Sequence, residues 1–224
     1  ADLNTADLRN QDLSNKDLNK VNFSSANLKD SKLDGVNLKE ADLKNAILTN
    51  SSIKGANLEK ADLGNTDLSN VSLIDATLDG VKSGGITGNL ILPDDFKLIN
   101  GYITGPKVNL SNADFSGKDL KGIDLNGATL TGSDLTGVDL SSSNLSGIVT
   151  GGIVGNPTLT SDYKLSNGYI VGPDVYLSSA NLEGADLSNL DLKESNLNYS
   201  NLKNTNLDGV DLSKSNLKMI KSGN

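Results

Sequence analysis

Within three long runs of this chain, every fifth residue is apolar. From Leu3 to Leu78 the period holds at sixteen consecutive positions, and only Phe23 and Ile53 are not Leu. A second run of eight extends from Leu110 to Leu145 and a third of nine from Leu177 to Leu217, so 30 of the 33 positions are Leu. Five matches neither the 3.6-residue period of an amphipathic helix nor the two-residue alternation of an ordinary strand. It fits a chain that turns a corner every five residues, with short extended pieces alternating with tight turns.

The other places in the pentad are restricted too. Two residues before the apolar centre stands a small or β-branched side chain, as at Ala26, Val36, Ala41, Ala61, Val138, Ala185 and Val210. Immediately before the centre the residue is mostly Asp or Asn, as at Asp7, Asn27, Asp62, Asp124 and Asn196. Two residues after it, Gly or Asn fills 20 of 33 places. Gly and Asn tolerate the positive φ that type II and related turns require. Four corners close a square of about 20 residues, and stacked squares pair through backbone hydrogen bonds at a strand spacing of roughly 4.8 Å. The centre and the small residue two before it then face inward, and the other three face water. A single coil cannot bury its own leucines, because each needs a layer above and below. Burying one Leu contributes roughly 1.5–3 kcal/mol, so repetition makes an otherwise polar sequence foldable.

The pentads ADLKN at 41–45, ANLEK at 56–60, ADLGN at 61–65 and ANLEGADLSN at 180–189 resemble the pentapeptide-repeat family. The resemblance implies an all-β chain wound as a right-handed quadrilateral parallel β-helix, a solenoid. The handedness comes from the family and not from the spacing.

Two inserts interrupt the phase. Residues 84–110 and 151–177 are identical at 17 of 27 positions, and eight pentads, or two whole coils, separate the two inserts. A long repeat is thus laid over the short one. The chain therefore reads as one continuous solenoid over 1–224. Its parts are repeats at 1–83, an insert at 84–107, repeats at 108–150, a second insert at 151–174 and repeats at 175–222. KLINGYIT (97–104) and KLSNGYIV (164–171) place Asn-Gly between apolar runs, the strongest short-range signal for a two-residue hairpin. Such hairpins either pack on the solenoid wall or project and bind a partner, and both are expected to leave from the same face. Ile220-Lys221-Ser222-Gly223 repeats Val81-Lys82-Ser83-Gly84. The chain is accordingly expected to be part of a longer array whose uncapped ends could pair end to end.

The composition excludes much chemistry. There is no Cys, His or Trp, hence no thiolate zinc site, no cysteine nucleophile and no imidazole base or ligand. No apolar stretch approaches the roughly 20 residues of a membrane-spanning helix. A net charge of -8 has the wrong sign for direct nucleic-acid binding. The carboxylates, Asp7, Asp12, Asp17, Asp62 and Asp67 among them, form a solvated lattice with no dry cleft to split their pKa values. GGITGN lacks the third Gly and the Asp of calcium-binding repeats. No catalytic, cofactor or metal residue is therefore expected. Residues that break the pentad rule have plain explanations: Gln11 and Lys16 lie in solvent in the first coil, Lys118 pairs with the insert or marks a kinked coil, and Leu190 fills a local gap.

The functional expectation is a non-enzymatic structural or interaction rod that offers a regular polar surface and evenly spaced hairpins to a protein partner. Candidate interaction residues are Tyr102, Tyr169, Tyr176, Lys97 and Lys164. An adhesion module for a glycan, phage or cell surface is an alternative. A third reading comes from the family resemblance alone: a mimic of duplex DNA acting on DNA gyrase. Lys is interleaved with the acids throughout, which favours the rod.

Overall fold

The computed structural model describes residues 1–223. The chain resolves into two compact units, Ala1–Leu110 and Ser111–Asn224, each described by itself.

In the first unit one backbone rule repeats. The N–H of each pentad's small residue closes a turn on the carbonyl three residues back, as Ala6 on Leu3 (3.0 Å), Ala26 on Phe23 (2.9 Å) and Ala41 on Leu38 (3.0 Å). The residue two after the centre has positive φ at all sixteen pentads from Thr5 to Gly80. The conformation is obeyed by Lys20 (φ 57°), Glu40 (φ 57°) and Asp75 (φ 64°) as well as by Gly and Asn. A non-Gly residue there costs roughly 1–2 kcal/mol, so the cross-coil bonds, not local preference, hold the corner. Those bonds tie each coil to the next. Leu3 N–H donates to the Asn22 carbonyl (2.7 Å), Thr5 N–H to Ser24 (2.9 Å), and Asn22 N–H back to Ala1 (3.1 Å). The parallel bridges then climb Asp2, Asn22, Asp42, Asp62 and Lys82.

The core is the stack of centres. Leu33, Leu43, Leu48, Leu58 and Leu73, with Phe23, are fully buried. In the coil of residues 1–20, bonded to a neighbour on one side only among the described residues, Leu3, Leu8, Leu13 and Leu18 are half-buried, and Gln11 and Lys16 are exposed. Burial of a centre thus depends on layers above and below, as expected for a stacked repeat. At two of the inward places filled by Ser or Thr in this unit the hydroxyl donates to a turn carbonyl, whereas the buried Ser51 hydroxyl has no partner among the described residues. Ser31 bonds Leu28 O at 2.6 Å, and Thr66 bonds Leu43 O and Leu63 O at 2.9 and 2.8 Å.

The first insert does not leave the ladder at once. Thr87 pairs with Asp67, and Ile91 pairs with Ser72. Strands β1 (Lys97–Ile99) and β2 (Tyr102–Thr104) then form an antiparallel ribbon. Its turn residues, Asn100 and Gly101, have φ of 51° and 76°, and positive φ at both central residues is the signature of a type I′ turn. The ladder resumes with Asn109 over Lys82, so the circuit from Lys82 to Asn109 is longer than the one before it, from Asp62 to Lys82. The ribbon folds back onto its own coil: Ile86 N–H donates to Gly101 O (3.1 Å), and Ile103 N–H to Ser83 Oγ (2.9 Å). Ile103 and Thr104 are fully buried.

The second unit repeats the plan. Val154 pairs with Asp134, Thr158 with Asp139, and Tyr176 with Val149, so an oversized circuit again follows ordinary ones. Strands β3 (Lys164–Ser166) and β4 (Tyr169–Val171) form its ribbon around Asn167 and Gly168. Ile153 N–H donates to Gly168 O at 3.0 Å, and Ile170 N–H to Thr150 Oγ1 at 3.1 Å. Strands β5 (Asn201–Leu202) and β6 (Lys221–Ser222) pair in parallel. Lys118 is exposed, and its N–H closes the turn on Phe115 O; Leu190 is half-buried.

Candidate functional site

The Asp or Asn before each leucine has a local duty that the sequence did not reveal. Its side-chain oxygen accepts the backbone N–H two residues on, at 2.9–3.1 Å in Asp12–Ser14, Asn22–Ser24, Asp114–Ser116 and Asp211–Ser213. This is an Asx turn, which either side chain completes equally well. The acidic lattice is therefore a consequence of corner chemistry. The backbone N–H of Ser213, then its hydroxyl and Lys193, hold Asp211 down at about 2. The side-chain bond from Arg9 does the same for Asp7, also at about 2. Asp12, Asp114 and Asp139 are likewise lowered by bonds from Ser14, Ser116 and Ser141. Cations span the coils as well, as in Lys39–Glu59 at 2.7 Å, Lys214–Glu194 at 2.8 Å and Lys193–Asp211 at 3.1 Å.

Among the described residues no group of three or more acidic side chains could hold a metal ion, and no helix is long and apolar enough to cross a membrane. A shallow hollow of about 330 Å³ lies beside Asn50, Ser52, Lys54, Asn70 and Ser72.

The ribbon residues turn out to be engaged. The Tyr102 ring covers Gly84, where a methyl would lie 2.8 Å from Cε1, and Tyr169 covers Gly151 in the same way at 2.9 Å. Lys97 is exposed at the start of β1. In the second unit, Lys164 Nζ donates to Asp186 O at 2.7 Å, and Asn167 Nδ2 to Asn181 O and Glu183 O at 3.4 and 3.2 Å. The Tyr169 hydroxyl accepts the Asn181 N–H at 3.3 Å. In an ordinary coil these main-chain groups pair with the backbone of the coil below. Here the oversized coil carries that backbone away, and ribbon side chains take its place.

Tyr176 belongs elsewhere. It stands on the wall of the second unit, 49% exposed, in a bridged column of Thr129, Val149, Tyr176, Asn196 and Asn216. The adjoining corner carries Tyr199 (51% exposed, φ 61°) and Met219 (70% exposed, φ 57°). Segments 128–132, 148–152, 175–179, 195–199 and 215–219 contain no acidic residue, and Lys218 is their one charge, in a chain of net charge -8. The corresponding column of the first unit reads Asp62, Lys82 and Asn109. Tyr199 and Met219 were missed in the sequence because each sits at a corner where Gly or Asn is usual, and their exposure depends on which coils flank them.

The comparisons agree with the repeat. Residues 1–81 match the pentapeptide repeat region model, and residues 109–147 and 176–217 match the model of pentapeptide repeats in eight copies. No curated protein matches. Solved structures similar to this chain include HetL, a pentapeptide repeat protein involved in heterocyst differentiation regulation from the cyanobacterium Nostoc sp. strain PCC 7120. It shares 26% identity over 98% of this chain and 88% of its own, with a TM-score of 0.26. QnrB1, a plasmid-mediated fluoroquinolone resistance protein, shares 16% identity over 96% and 92%, with a TM-score of 0.29. A pentapeptide repeat protein of the Arabidopsis thaliana thylakoid lumen shares 28% identity over 51% and 71%, with a TM-score of 0.21. With well over half of its length matched by these repeat models, and a leucine-cored ladder under them, the chain belongs to the pentapeptide repeat family, whose fold is a right-handed β-helix.

Proposed function

We propose that this protein is a non-enzymatic interaction scaffold, and that the acid-free wall of its second unit binds a protein partner. In this reading each ordinary coil is four-sided, one corner per pentad, and the two inserts are hairpins that pack on the scaffold instead of reaching out. The observation that carries the proposal is the pair Tyr199 and Met219. Both hold a left-handed backbone that Gly or Asn would adopt more cheaply, and both are exposed. Positive φ is the rule at this corner, and what sets the pair apart is a large, exposed, uncharged side chain placed there. Tyr and Met are also enriched in protein interfaces, while acidic residues are depleted there. The fitting partner brings apolar side chains, with at most a carboxylate for Lys218. Tyr102, Tyr169 and Lys164 then support the scaffold, Lys97 stays exposed at the start of β1, and Tyr176 is the candidate residue that touches the partner.

A photo-crosslinking residue placed at Tyr176 is expected to capture a discrete protein in cells, and the same residue at Asp62, on the charged wall of the first unit, is not. Equal capture at both positions, or none at Tyr176, removes the proposal. The DNA-mimic reading has less behind it, because cross-coil pairs such as Lys20–Glu40 and Lys44–Asp62 interrupt the acids. Inhibition of gyrase supercoiling would restore it. Glycan adhesion gains nothing from Tyr102 and Tyr169, whose rings cover glycines.

A further inference from the structure

We propose that Asn167 is a site of spontaneous covalent modification, and that its conversion loosens the second ribbon from residues 181–186. Three observations combine. Asn167 is exposed and followed by Gly168, which has no side chain to block approach to its nitrogen. Both residues have positive φ, 48° and 77°, at the tip of a two-residue turn. The Gly168 carbonyl accepts Ile153 N–H, but among the described residues the Gly168 N–H donates to nothing, so the tip can rotate without breaking a bond at that nitrogen. A second Asn-Gly pair in the same unit, Asn126-Gly127, serves as a reference. There the Gly127 N–H is held in the ladder by Ser146 O at 2.8 Å, and Asn126 Nδ2 donates to the same oxygen at 3.1 Å.

The chemistry needs only water. The Gly168 nitrogen loses its proton and attacks Cγ of Asn167. The new C–N bond closes a five-membered succinimide, the Cγ–Nδ2 bond breaks, and ammonia leaves with that proton. Water then opens the ring at either carbonyl, giving an aspartate or an isoaspartate linkage. The net change is one water consumed, one ammonia released and one negative charge gained. The consequence follows from the geometry. Asn167 Nδ2 now donates to Asn181 O and Glu183 O, whereas a carboxylate would face both carbonyls with no proton to offer. An acceptor opposite acceptors is repulsive and leaves both carbonyls without their side-chain donor. The site is independent of the wall proposed to bind a partner.

The test is incubation of the whole protein at mildly alkaline pH, then tryptic mapping. The peptide 165–193 is expected to gain one dalton, split between aspartate and isoaspartate, at least about tenfold faster than the peptide 122–164 that carries Asn126. In the converted fraction the Asn181 amide should exchange with deuterium faster. The N167Q variant, whose ring closure would be six-membered and slow, should keep both its mass and its protection. Conversion of Asn126 at an equal or greater rate, or retention of the Asn167 amide while a synthetic 164–170 peptide converts, overturns the site. Conversion without faster exchange at Asn181 overturns the loosening.

Discussion

Two copies of one long repeat, one in each unit, differ where it matters for binding and agree where it matters for folding. Each copy ends in one lengthened coil, bridged from Lys82 to Asn109 in the first and from Val149 to Tyr176 in the second. Each has an aromatic ring over a glycine, Tyr102 on Gly84 and Tyr169 on Gly151, and a second ring against another, Phe96 at Gly105 and Tyr163 at Gly172. The wall above is not shared, since Asp62, Lys82 and Asn109 in one correspond to Thr129, Val149 and Tyr176 in the other. The ribbon glycines are fixed by contact with backbone and rings. The outward residue of a rung touches mostly water, so its chemistry is open to change.

Acid acts on both copies through many sites at once. Asp12, Asp17 and Asp67 in the first unit, and Asp114, Asp139, Asp186 and Asp211 in the second, all have lowered values. Each folded value lies below the unfolded one of about 3.9. Their stabilisation is therefore complete above about pH 4 and is lost as the pH falls toward the folded values, near 2 for Asp211. Thermal unfolding followed by circular dichroism should show a plateau above that window and a steep fall in Tm within it. A Tm that is flat down to about pH 2 would mean that the Asx bonds contribute nothing.

Next in size are Gly88→Ala and Gly155→Ala. Their φ values are 98° and 81°, and a methyl would lie 2.4 Å from Ser69 N and 2.5 Å from Thr136 Cα. Left-handed strain and overpacking against backbone together should cost roughly 2–4 kcal/mol in either copy. Denaturant unfolding that finds one substitution tolerated and the other not would show that the two scaffolds are unequal.

Tyr169→Phe sharpens the role of the ribbon. Losing the hydroxyl that accepts the Asn181 N–H should cost about 1 kcal/mol and raise deuterium exchange at Asn181. Unchanged exchange would mean that the ribbon does not substitute for the missing backbone.

The smallest effect has the opposite sign. Tyr199→Asn should stabilise the protein by up to about 1 kcal/mol, because Asn accepts positive φ more readily, while weakening capture by a crosslinker at Tyr176. A Tyr199→Asn variant that is less stable would show that the ring supports the fold instead of serving a partner.

Much of the fold was legible in the amino-acid order because its causes are local. The spacing of Leu33, Leu38 and Leu43, the small residues two before each, and the corner two after each are properties of five consecutive residues. Asn100-Gly101 and Asn167-Gly168 announced their turns in the same way. The sequence also carried the exception list correctly in part, with Gln11 and Lys16 in solvent. What it hid was anything that depends on the length of a coil. The lengthened coil decides that Tyr176 stands over Val149 and that Asn181 finds the Tyr169 hydroxyl instead of a backbone carbonyl. It also decides that five short segments line up as one acid-free wall. The ladder and its leucine core thus follow from the amino-acid order, because turns and burial repeat every five residues. Which side chains share a column is set by the folded coils, because neighbours in a column are separated by a full circuit of the chain.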